Sequence, residues 1–154
     1  MLYQRVMRLA LLATALALVG GVTVAQSTPT AHSAAAVKVK VGSTKKLGRF
    51  LVDQSGRTLY LFEKDKNGKS ACYGQCAAGW PPLVGTPSPG SGVTASKLAT
   101  TKRRDGKTQV TYNGHPLYRY AGDSSAGQTN GEGSKAFGAS WYVVAPSGKK
   151  IDKS

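Results

Sequence analysis

The strongest constraint on this chain is that it says one thing twice. Gly56, Leu59, Tyr60, Phe62 and Asp65 recur in identical register as Gly114, Leu117, Tyr118, Tyr120 and Asp123. Each set leads on to a tryptophan, Trp80 after a gap of 15 residues from Asp65 and Trp141 after 18 from Asp123. A loop absorbs a difference of that size. The pattern therefore reads as an internal duplication.

Each copy reads as a β-hairpin. In the second, residues 109–112 and 115–120 flank Asn113-Gly114, the pair that best tolerates positive φ in a type I′ turn. In the first, residues 49–52 and 57–62 flank the longer turn Asp53 to Gly56. Side chains alternate across a strand, so Tyr60 with Phe62, and Tyr118 with Tyr120, are expected to face the core. Leu59 and Leu61 match Leu117 and Arg119 on the other face, and Arg119 predicts that this face is partly wet in the second copy. Further strands are expected at 140–144 and around Gly79-Trp80, and helical periodicity is confined to the N-terminal apolar run. The expected class is mainly β and antiparallel: two tandem β-hairpin repeats packed as one small domain about a pseudo-twofold.

The N-terminus reads as an export signal. Arg5 and Arg8 precede the apolar run Leu9 to Val19, and Thr23 and Ala25 put small residues at the cleavage-determining positions. The resulting organisation is a signal peptide over 1–25, a disordered Ala/Ser/Thr/Pro tether over 26–37, a first β repeat over 38–84, a linker loop over 85–92 and a second β repeat over 93–151. The apolar run is short for a spanning helix, so no transmembrane span is expected after processing.

All seven carboxylates lie beyond residue 25, and 19 of the 21 basic residues do so too, giving the processed chain a formal net charge of +12. An exported protein this basic concentrates at anionic surfaces. Anionic cell-wall polymers and acidic lipid headgroups both present the required phosphates. Export makes intracellular nucleic acid an unfavoured partner.

Tyr60-x-Phe62-x-x-Asp65 and Tyr118-x-Tyr120-x-x-Asp123, with Cys72 and Cys76 followed by Trp80-Pro-Pro-Leu83, carry a resemblance to a bacterial family. The chain resembles the secreted-repeat lipoproteins named for a Tyr-x-(Phe/Trp/Tyr)-x-x-Asp motif, which carry the repeat in tandem and have no established function. The similarity covers residues 47–151. Some members are lipid-anchored; the only cysteines here are Cys72 and Cys76, so this chain lacks the acceptor cysteine that such an anchor needs. The resemblance brings no reaction with it.

Cys72 and Cys76 form an isolated pair in an exported chain, where oxidising conditions favour a structural disulfide holding the turn at Trp80. The sharper alternative is a thiol redox centre or a soft-metal site for Cu(I), or an electron-transfer protein with copper or haem, since two thiolates on a short loop can converge on one ion. His115 is the candidate further ligand, although an exposed, unpaired imidazole is the plainer expectation. Four ligands at zinc spacing are absent. Asp65 and Asp123 are read as turn-holding carboxylates that accept backbone N–H bonds; the loop after Asp123 does not match EF-hand spacing. Trp80, Trp141 and Tyr142, with Tyr73 and Tyr112, line either a groove for a planar or sugar ligand or, more ordinarily, a core. No paired carboxylates, Gly-x-Ser-x-Gly elbow or phosphate-binding loop is found, so no catalytic residues are assigned and an enzyme is the less favoured class.

Overall fold

The structure, a computed structural model, describes residues 35–153; the expected signal peptide and most of the expected tether lie outside the described residues. In chain order the elements are β1 (Ala36–Thr44), β2 (Gly48–Asp53), β3 (Tyr60–Phe62), a one-turn helix α1 (Gln75–Gly79), β4 (Thr86–Pro89), β5 (Leu98–Lys102), β6 (Thr108–Tyr112), β7 (His115–Pro116), β8 (Trp141–Val144) and β9 (Lys150–Ile151). They form three small sheets, ordered β2-β1-β4, β3-β8-β9 and β5-β6-β7. The fold is mainly β, and every strand pair is antiparallel except β1 with β4.

The hairpins form where the turn chemistry places them. Asn113 and Gly114 both take positive φ, 50° and 80°, and join β6 to β7 with Tyr112 opposite His115. In the first copy Asp53 accepts the amides of Ser55 and Arg57 on Oδ1, closing the turn that sets Val52 opposite Thr58.

Three expectations need correction. The segment 85–92 is not a linker loop, because Thr86–Pro89 is a strand lying parallel to β1. Its two prolines lack N–H donors, which an edge strand tolerates on its free side, and they give it a loop-like composition. The ordered chain starts before Lys38: β1 begins at Ala36, and Val37 is buried with Val39 on one face of a period-two pattern that composition alone conceals. The region before Trp80 is a helical turn rather than a strand, with the Trp80 amide donating to the Cys76 carbonyl, and it is too short to show periodicity.

Both faces of β3 are packed. Leu59 and Leu61 join an aliphatic cluster with Val39, Leu51, Leu83, Val110, Leu117 and Val144, whereas Tyr60 and Phe62 join an aromatic one with Phe50, Trp80, Tyr118 and Trp141. Alternation along β3 and β8 thus feeds two cores, one on each side. Arg119, expected to mark a wet face, keeps its side chain 30% exposed and ion-pairs with the buried Asp53 at 2.6 Å.

The two copies meet at their tyrosines. The Tyr60 amide donates to the Tyr118 carbonyl at 2.9 Å, and the Tyr118 amide returns the bond at 3.0 Å. On the far side of each, Tyr60 faces Val143 and Tyr118 faces Pro82. Trp141 and Trp80 stand two residues before those partners, which brings the indoles together, stacked with centroids 3.9 Å apart and planes 7° apart. Phe62 extends the stack on Trp141 at 4.0 Å, and Tyr118 meets Trp141 edge-on.

Candidate functional site

The motif residues do more than hold turns within their own copy. Tyr60 Oη donates to Asp123 Oδ2 at 2.5 Å, and Tyr118 Oη donates to Asp65 Oδ2 at 2.8 Å, so each copy's tyrosine is bound by the other's aspartate. The second carboxylate oxygen of each faces its own loop: Asp65 Oδ1 accepts the Ala71 amide at 2.8 Å and Asp123 Oδ1 the Asn130 amide at 2.9 Å. One aspartate thereby ties the start of its Asp-to-Trp loop to the centre of the opposite copy. Burial and the adjacent carboxylate hold both phenols above the usual tyrosine range. Tyr120 is the outlying member of its set: half-buried, it packs on Trp80 with centroids 4.3 Å apart rather than entering the core as fully as Tyr118.

The two crossed bonds sit in different surroundings. Asp123 is buried, and Tyr60 Oη also accepts the Gly131 amide at 3.3 Å. Gly131 has no room for a side chain, since a Cβ there would come within 2.6 Å of the Trp80 ring. Asp65 lies nearer solvent. Burial raises its pKa to about 6, against the lowering effects of the Ala71 amide, the Tyr118 hydroxyl and the Arg103 charge.

Arg103 organises that side of the molecule. It is 3% exposed, and its guanidinium donates from Nε to Asp105 at 3.1 Å, from Nη1 to Ser70 Oγ and Gln109 Oε1, and from Nη2 to the Cys72 carbonyl, the last three all at 2.8 Å. A buried cation is tolerated only when its donors are met, and here an arginine of the second copy is met half by its own copy, through Asp105 and Gln109, and half by the loop of the first, through Ser70 and Cys72. Gln109, itself fully buried, completes the relay by donating to the Leu117 carbonyl at 2.8 Å. Arg103 stands between two exposed basic residues, Lys102 and Arg104, and its burial has no local signal beyond the Asp105-Gly106 turn that follows.

Outside this network is a recess of about 600 Å³ whose walls include Lys69, Ser70, Tyr73, Lys102, Arg103 and Arg104. The guanidinium carbons of Arg103 and Arg104 lie over the Tyr73 ring at 4.4 and 4.1 Å, and the Arg104 amide donates to Tyr73 Oη at 3.1 Å. Asp105, the neighbouring carboxylate, is held below the usual range by the Lys107 amide and Arg103.

Cys72 and Cys76 are joined in a disulfide, and no free cysteine is present. Both are buried, at the base of the loop that carries Tyr73. With each sulfur bonded to the other, neither is a thiolate, so a Cu(I) site at this pair would require prior reduction. Among the described residues no three His, Cys, Asp or Glu side chains gather as a metal site. His115 is half-buried rather than exposed, and burial lowers its pKa. It lines a separate recess of about 750 Å³ with Asp65, Lys66 and Lys149, and neither cysteine reaches that wall. The groove reading of Trp80, Trp141 and Tyr142 does not survive: they are 1%, 0% and 8% exposed, and the stacked indoles fill the space a ligand would need.

No helix among the described residues is long and apolar enough to cross a membrane. Comparison with curated proteins and with solved structures gave no match. A family described as a secreted repeat of unknown function matches residues 42–84 and again residues 99–145, one match for each copy of the duplicated unit. Those two segments together span more than half of the chain, and the protein belongs to this family of secreted repeats.

Proposed function

We propose that this domain is a binding scaffold of the bacterial cell envelope, held by electrostatic attraction to envelope phosphates, and that it does no covalent chemistry. One observation carries the reading: the domain uses its negative charge internally and presents its positive charge outward. Asp53, Asp65, Asp105, Asp123 and Glu132 accept backbone amides, Glu63 pairs with Lys150, and Asp152 lies 3.7 Å from the same lysine. Of the 19 lysines and arginines described, 14 are exposed, against three carboxylates. Such a surface attracts polyanions over a distance set by salt.

Sedimentation of the protein with purified cell walls across a salt series tests this. Retention at about 0.01 M salt that is lost by about 1 M, as the Debye length shrinks from ~30 to ~3 Å, supports the reading. Absence of retention at low salt, or retention that ignores salt, contradicts it.

A further inference from the structure

The recess beside the disulfide loop is a built cationic site, and this inference rests on the electrostatic reading above while giving it an address. We infer that the recess lined by Lys69, Lys102 and Arg104 over Tyr73 binds the phosphodiester groups of an anionic polymer.

Three features separate this place from the scattered positive charge elsewhere. It is concave, so cations approach one ligand from more than one wall. Its floor is fixed: Tyr73 follows Cys72 in the disulfide loop, Arg103 clamps the Cys72 carbonyl, and the Arg104 amide holds the tyrosine hydroxyl. Arg104 is stacked on that ring rather than free to sample rotamers, so its planar fork is oriented before a ligand arrives. Arg103 adds charge from beneath while its donors are engaged by the protein. Two carboxylates adjoin the recess, and both are engaged within the protein: Asp105 by Arg103 and the Lys107 amide, and Asp65 by the Ala71 amide and the Tyr118 hydroxyl. Lys69 and Lys102 are exposed, and the Lys102 ammonium donates to Thr108 Oγ1 at 3.4 Å.

The shape favours a polymer over a bilayer. A membrane-surface site combines cations with apolar side chains that enter the headgroup layer. The exposed large apolar residues among those described are Val84 and Phe137, and neither lines this recess.

The test uses the full domain, with poly(glycerol phosphate) as probe and titration at several salt concentrations. Lys102→Ala with Arg104→Ala is compared with Lys45→Ala with Lys46→Ala, an exposed pair that carries the same charge change elsewhere; far-ultraviolet circular dichroism confirms that each is folded. The recess pair is expected to weaken binding about tenfold or more at low salt and to reduce the salt slope by about two, the control pair far less. Arg104→Lys, which keeps the charge but loses the stacked fork, should fall between wild type and the recess pair. Equal weakening by both pairs overturns the site while leaving the electrostatic reading intact; no binding by the wild-type protein to the polymer or to cell walls overturns both. Binding to phosphatidylglycerol vesicles but not to the polymer overturns the choice of ligand, as does equal affinity for a carboxylate polymer such as polyglutamate.

Discussion

The two Asp-to-Trp loops begin from the same kind of tyrosine–aspartate bond and end at the same stacked indole pair, yet they are held by different means. The first loop carries a disulfide and a helical turn, and Arg103 reaches into it from the other copy. The second has no covalent closure. It relies on Gln128, which accepts the Ser124 and Ser125 amides, and on Glu132, which accepts the Val143 amide at 2.7 Å. The frame shared by the copies is buried and aromatic, whereas what distinguishes them is how each loop is tied: by a buried disulfide and a buried arginine in the first, by amide-accepting Gln128 and Glu132 in the second.

The largest effect should come from the frame. Trp141→Ala removes a ring stacked on both Trp80 and Phe62 and an Nε1 donor to the Ala136 carbonyl, and should destabilise the domain by about 3–5 kcal/mol in a denaturant titration. Trp80→Ala should cost no more. Equal tolerance of both substitutions would break the account of a shared core.

The crossed bonds come next. Tyr60→Phe leaves a buried carboxylate oxygen on Asp123 without its hydroxyl and should cost about 1–3 kcal/mol, whereas Tyr118→Phe, whose partner Asp65 lies nearer water, should cost about 1 kcal/mol. The reverse order would contradict the contrast drawn between the two sides. Replacing both cysteines by alanine opens a loop of five residues, and the chain-entropy relation puts the loss at about 2 kcal/mol, with Tyr73 released as a secondary consequence.

The last effect is a pH dependence carried by Asp65. With its folded pKa raised from 3.8 to about 6, Asp65 binds its proton more tightly in the folded state than in the unfolded one. Its contribution is therefore greatest below pH 4 and declines as pH rises through 4 to 6, by about 1–2 kcal/mol given its contact with solvent, then levels off. Asp65→Asn should remove that component from a stability–pH profile, whereas a profile unchanged by the substitution would mean that the carboxylate is not held in the unfavourable setting described.

How much of this was legible in the residues depends on distance along the chain. The duplication, the mainly β class, the Asn113-Gly114 turn and the strand ending at Val144 depend on local patterning, and they stand in the structure where patterning puts them. β4 escaped because two prolines in four residues make an edge strand look like a loop. The crossing of the Tyr–Asp pairs escaped for a different reason. An aspartate five residues after a tyrosine invites a bond within one copy, and only the antiparallel meeting of Tyr60 with Tyr118 sends each hydroxyl to the other's aspartate. Arg103 was hidden in the same way, since its acceptors Ser70 and Cys72 lie 33 and 31 residues away.

The most direct test of the interlocked pair is to produce residues 35–92 and 93–153 as separate chains and record amide correlation spectra of each alone and of the mixture. Each fragment alone should give the narrow dispersion of an unfolded chain, and mixing should restore the spectrum of the intact domain. A well-dispersed spectrum from either fragment by itself would show a copy that folds unaided, and would contradict the claim that each half is completed by the other.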